Sequence, residues 1–118
     1  MADLKAEITP MRMVLMERKP VELMVEMINN SNKPLMISLD IMLDNEIAFD
    51  KGGRNTFISK KFDAMQPGER FMQYFDIFAK ANVNRGVHSI EITVSEHFNN
   101  SWEYVQSKKT KLLTLRVE

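Results

Sequence analysis

The sequence contains no cysteine. Disulfide scaffolds, thiolate metal sites and cysteine nucleophiles are therefore excluded, and the composition fits a reducing compartment. Neither charge is in excess, because 16 basic residues balance 16 acidic ones. A formal charge of zero supplies no field to draw nucleic acid or an anionic membrane. Glycine and proline number only four each. No phosphate-cradling glycine loop, dinucleotide fingerprint or Gly-x-Ser-x-Gly elbow is present. No apolar run approaches the roughly 20 residues of a membrane-spanning helix. The start, Met1-Ala2-Asp3-Leu4-Lys5-Ala6-Glu7, lacks the basic-then-apolar order of a secretory signal. The expectation is a cytoplasmic protein, or an extracellular one if the chain is a domain excised from a longer protein.

What the sequence does hold is alternation. Leu35, Ile37, Leu39, Ile41 and Leu43 are apolar, and Met36, Ser38, Asp40, Met42 and Asp44 stand between them. Period two is the signature of a strand with one buried face, which places Ser38 and Asp40 toward water. Val21, Leu23, Val25 and Met27 alternate in the same way with Glu22, Met24 and Glu26. Between the two runs lies Asn29-Asn30-Ser31-Asn32-Lys33-Pro34. Asparagine and proline make this a loop. It has no glycine pair and exceeds two residues, so it can carry the chain from one sheet to another.

Further strands are expected at Leu4 to Ile8, Met11 to Met16, Asn55 to Phe62, Phe71 to Phe78, Val87 to Glu96, and Trp102 to Val117 with a kink at Ser107 to Lys109. Pro10 confines the first two to a sheet edge. Gln66-Pro67-Gly68-Glu69 is a turn, with proline presetting φ and glycine after it. Asn99-Asn100-Ser101 is another, and at most one helical turn is expected, near Ala79 to Asn84. The pattern is all-β: an antiparallel sandwich of about seven to eight strands forming a single domain, 1–118. The expected core is Leu23, Val25, Ile37, Leu39, Ile41, Phe71, Phe75, Ile90, Ile92, Val94, Leu113 and Leu115.

The order of these features resembles bacterial and archaeal immunoglobulin-like domains of the cell-adhesion-related (CARDB-like) type. The resemblance rests on the apolar strand ending in asparagine before Asn32-Lys33-Pro34 and on the Pro67-Gly68-Glu69 turn. It also rests on Gly86-Val87-His88-Ser89-Ile90-Glu91-Ile92 and the closing Leu113-Thr114-Leu115-Arg116-Val117. His88 stands where such domains carry an aromatic residue. The resemblance implies a seven-stranded binding or spacer module with no catalytic residues.

Few residues offer chemistry. His88 shares parity with Ile90, Ile92 and Val94, which makes it a hydrogen-bonded histidine at the core margin rather than a catalytic base. His97 has the opposite parity, so the two do not share a metal. Asp40, Asp44, Asn45, Glu46 and Asp50 form an acidic cluster without calcium-loop spacing, beside Lys51 and Arg54. It reads as a solvated loop. Lys108, Lys109 and Lys111 lie near Trp102 and Tyr104, a thin basic and aromatic patch that more simply blunts an edge strand. Asn29-Asn30-Ser31 and Asn99-Asn100-Ser101 are formal glycosylation sequons that arise easily by chance.

Ten methionines are many for 118 residues. Met24, Met36 and Met42 fall on strand faces expected to be wet, and methionine suits adaptable contact surfaces. These three are the candidate interface residues. The resulting expectation is a noncatalytic interaction or assembly module that binds a protein partner or itself as a homodimer. It uses no cofactor or metal and contacts neither membrane nor nucleic acid. The alternatives are a small-ligand- or metal-binding β-domain using His88 or the acidic cluster, or a weak single-stranded nucleic-acid binder.

Overall fold

The computed structural model describes residues 2–98 and 100–118. Asn99, with the sequon and part of the turn read there, lies outside the described residues. Among the described residues nine strands run in order: β1 (Ala2–Thr9), β2 (Arg12–Met13), β3 (Val21–Asn29), β4 (Leu35–Leu43), β5 (Ile47–Ala48), β6 (Phe57–Met65), β7 (Arg70–Ala79), β8 (Gly86–Phe98) and β9 (Ser101–Val117). They form a four-stranded sheet, β1-β3-β7-β5, and a five-stranded sheet, β2-β9-β8-β4-β6. All pairings are antiparallel except β2 with β9, which is parallel. The expected all-β sandwich is therefore present. The count exceeds seven to eight because Arg12–Met13 and Ile47–Ala48 form two-residue strands inside stretches read as irregular or longer.

Both sheets bury one parity. From the four-stranded sheet come Val21, Leu23, Val25, Met27, Phe75 and Ile77, and from the five-stranded sheet Ile37, Leu39, Ile41, Ile90, Ile92, Val94 and Leu115. Of the expected core, Phe71 and Leu113 are only half-buried. Phe71 stacks edge-on with Phe62, 5.1 Å between ring centres, and this pair closes one open side.

The structure corrects one local reading and refines two others. The segment after Pro10 pairs only at Arg12–Met13 and then makes a 3₁₀ turn, Leu15–Glu17. Arg18 ends that turn with φ 53°, which no strand continues. The stretch after Ala79 is a simple turn, its Val83 N–H donating to the Lys80 carbonyl at 3.1 Å, and it is not helical. β9 runs unbroken from Ser101 to Val117, and its irregularity is a register shift against β8 that leaves Gln106 between the partners of Glu96 and His97, next to the kink expected at Ser107 to Lys109. Seventeen residues of strand span roughly 50 Å, and the molecule is 48 Å long.

The Asn29 loop carries the chain from the four-stranded to the five-stranded sheet, as its composition implies. It is pinned by one side chain. Asn29 is fully buried, and its Nδ2 donates to the carbonyls of Met65 at 2.7 Å and Lys33 at 3.0 Å. Its Oδ1 accepts from the Ser31 N–H at 2.9 Å and the Ser31 hydroxyl at 2.6 Å. Its backbone exchanges hydrogen bonds with Gly68 and Glu69 of the turn between β6 and β7. There Gly68 takes φ 79°, the conformation glycine adopts freely at the third position of a type II turn. A residue buried this way cannot carry a glycan, so its sequon is without structural meaning.

The network makes a quantitative prediction. Asn29→Ala removes the donor to the buried Met65 carbonyl and the acceptor of the Ser31 N–H, and costs about 2 kcal/mol in urea unfolding. Asn29→Asp costs more than Asn29→Ala, because it keeps the acceptor but sets carboxylate oxygens against the Met65 and Lys33 carbonyls. Two variants as stable as the parent would show that the network carries no stability.

Candidate functional site

His88 enters β8 two residues after Gly86 and points inward, 4% exposed. Its Nδ1 lies 3.0 Å from Asp44 Oδ2, and its Nε2 lies 2.7 Å from the Asn84 carbonyl oxygen. Both ring nitrogens thus face acceptors. Asp44 also accepts from the Ser89 and Glu46 N–H groups, at 2.9 and 3.0 Å. Glu46 Oε1 accepts from the backbone and side-chain amides of Asn84 at 2.9 and 2.7 Å. Asp50 accepts from the Arg54 and Asn55 N–H groups. Of the acidic cluster, Asp44, Glu46 and Asp50 are bonded into turns, and Asp40 lies on β4. Among the described residues no three ligating groups converge on a metal position. A general base needs a free nitrogen facing a substrate, and His88 has none.

His97 lies on the opposite face of β8, and here the structure departs from expectation. Ser38 is 6% exposed although its parity is outward. Its hydroxyl meets His97 Nε2 at 2.8 Å. Trp102 packs edge-on against the His97 ring, 5.0 Å between centres, and Lys61 Nζ sits 5.2 Å from the indole centre. These side chains roof the outer face of β4 at this end. A serine beside a histidine invites comparison with a nucleophile and its base. His97 Nδ1, however, has no hydrogen-bond partner among the described residues to orient it. Ser38 also sits mid-strand between β6 and β8, where neighbouring backbone amides belong to sheet ladders and none is free for an oxyanion.

The rest of this outer face is a platform of cross-strand rows. Ser59, Asp40, Thr93 and Thr110 form one row, and Lys61, Ser38, Ser95 and Lys108 the next. A third reads Phe57, Met42, Glu91, Leu112. Its apolar members are open to solvent: Phe57 51%, Met42 52% and Leu112 62% exposed. Of the three candidate interface methionines, Met42 is in this row and Met36 is half-buried beside His97. Met24 lies on the outer face of the other sheet, between Glu7 and Tyr74. The candidates therefore do not share one surface. Phe57 and Leu112 were missed because strand parity alone does not say which strands are neighbours.

The lysines of β9 do not form one patch. Lys108 faces outward with Ser95, whereas Lys109 and Lys111 pair with Val94 and Ile92 on the opposite side. The Trp102 indole is set against His97 and Lys61.

No family model matches the chain, and no curated protein matches it significantly in sequence. Solved structures do match in shape. A CARDB domain from Pyrococcus furiosus, solved in complex with di-metal ions, has a TM-score of 0.62 at 16% identity, covering 98% of this chain and 93% of that one. A FixG-related protein from Vibrio parahaemolyticus gives 0.60 at 12% identity, covering 99% and 96%. The Escherichia coli alpha-2-macroglobulin, from domain MG7 to its C-terminus, gives 0.66 at 18% identity, covering 99% of this chain and 17% of that one. The chain thus has the CARDB-like β-sandwich fold. Likeness at such identities concerns the fold alone.

The Ser38–His97 contact predicts a cost larger than an exposed serine would show. Ser38→Ala destabilises by about 1–2 kcal/mol, because it leaves a buried ring nitrogen unpaired. A thermal or urea midpoint shift equivalent to less than about 0.5 kcal/mol, the size expected of a surface change, would show that the pair contributes nothing.

Proposed function

We propose that this chain is a noncatalytic protein-interaction module that self-associates through the outer face of its five-stranded sheet. The observation carrying this reading is the row Phe57, Met42, Glu91, Leu112: three of its four side chains are large, apolar and about half or more exposed, on the outer face of one sheet. Polar residues there would cost the core nothing. Glu91 sits between Met42 and Leu112, and Lys61 and Lys108 lie two rows away. A twofold partner sliding along the strands can place carboxylate against lysine while the apolar row is covered. Methionine at the centre gives a surface that repacks easily.

The non-enzymatic part of the proposal is supported by the two histidines. One has both nitrogens occupied, and the other is roofed by Trp102 with no oxyanion donors nearby.

Sedimentation equilibrium tests the proposal. The parent chain is expected to dimerise at tens to hundreds of micromolar, the range of a small interface with few anchors. Met42→Lys shifts it to monomer, and Met24→Lys on the opposite sheet does not. A parent that remains monomeric at millimolar concentration removes self-association. A dimer insensitive to Met42→Lys moves the interface elsewhere.

A further inference from the structure

A cleft of 570 Å³ opens at the end of the sandwich away from the turn between β8 and β9. One wall is the segment following β2, which contributes Leu15, Arg18 and Lys19; the other is the end of β7 and the loop after it, contributing Phe78, Lys80 and Val83. Lys51 reaches it from the turn after β5. Its lining holds four cations and no acid. None of the four forms an ion pair among the described residues. Leu15, Phe78 and Val83 of the apolar lining are half-buried, and Met13 behind them is buried.

The backbone that carries Arg18 and Lys80 is fixed, and so is the stem of Lys80. Gly53 has φ 72°, and the stem of Lys80 passes 3.1 Å from where a Cβ would stand. Glycine alone suits both that backbone and that approach. The Lys80 N–H donates to the Glu46 carbonyl at 3.0 Å. Asn84, further along the same loop, is held by Glu46 and His88 as described above. Arg18 has φ 53° at the end of the 3₁₀ turn, where its N–H donates to the Leu15 carbonyl at 3.1 Å. Four like charges around one concavity repel each other, and an anion relieves that repulsion. The volume falls within the roughly 300–1,000 Å³ of small-molecule sites. The half-buried lining asks for an apolar body behind the charge.

We propose that this cleft binds a small organic anion that joins an apolar body to a phosphate or carboxylate group. Arg18, Lys19, Lys51 and Lys80 receive the charge, and Leu15, Phe78 and Val83 receive the body. The site is separate from the proposed dimer face and stands or falls independently of it.

Amide chemical-shift titration of the whole chain tests the assignment with three probes: 1-naphthyl phosphate, inorganic phosphate and 1-naphthol. The first is expected to saturate and to shift the amides of Leu15, Arg18, Lys51 and Val83. Inorganic phosphate and 1-naphthol, each carrying half of the recognised chemistry, bind at least about tenfold more weakly, a difference of about 1.4 kcal/mol. Arg18→Asn, which suits the positive φ, with Lys80→Gln weakens 1-naphthyl phosphate at least about fivefold, as loss of two charge contacts demands. Lys108→Ser with Lys109→Ser leaves it unchanged. Shifts scattered over the surface, equal binding of inorganic phosphate or 1-naphthol, or equal loss in both double variants overturns the proposal. So does the absence of any shift.

Discussion

The Asn29 side chain is the constraint on which the two sheets depend. It stands where the chain leaves one sheet for the other, and it is buried where water cannot substitute for a lost partner. Four hydrogen bonds use its side chain fully, tying the crossover to the last residue of β6 and to the loop it begins. Its backbone grips the β6–β7 turn, the return crossing between the same sheets. Two sheet-to-sheet connections are thus joined at one point. Apolar burial between the sheets is nondirectional and by itself leaves their relative register loose. A saturated amide at the crossings supplies direction. Glutamine would offer the same atoms a methylene further out, and aspartate would offer no donors.

How much of this was legible follows from what each signal measures. Alternation reports which side of a strand is buried, so Leu35 to Leu43 and Val21 to Asn29 could be read directly. Loop chemistry reports where a strand ends, so the crossover at Asn29 and the type II turn at Gly68 could be read as well. Neither signal reports who the neighbours are. Ser38 was read as wet because its own strand said so. Its cover comes from His97 and Trp102, some sixty residues onward and on other strands. The 3₁₀ turn after Met13 escaped notice because Leu15 and Met16 are apolar, and only the backbone of Arg18 shows that the chain has already turned away. The four cations of the end cleft come from three separated segments, and no pattern in the sequence joins them.

The methionines show the same distinction. Their number drew attention, but position assigns their roles. Met27 and Met65 fill the core, Met36 is half-covered beside His97, and Met42 stands open between Phe57 and Glu91. A flexible apolar side chain in the core fills a gap; the same side chain in an exposed row offers an adaptable contact. For Met42 the apolar row formed with Phe57 and Leu112 supports the second role. Met24 instead lies between Glu7 and Tyr74 on a face crossed by ion pairs.

That face also explains how a chain of zero net charge can carry a strongly basic cleft. The outer rows of the four-stranded sheet read Asp3, Ile28, Arg70; Lys5, Glu26, Met72; Glu7, Met24, Tyr74; and Thr9, Glu22, Asp76. Five carboxylates stand there against two cations, and Glu26 pairs with Arg70 and Glu7 with Lys5. The balancing negative charge is therefore concentrated on one broad face, while four unpaired cations gather at one end. Exposed charges more than about 10 Å apart are largely screened from one another at 0.1 M ionic strength. A ligand in the cleft then responds to the local cations and not to the total. Net charge, which argues soundly about long-range steering, gives no account of a site this small.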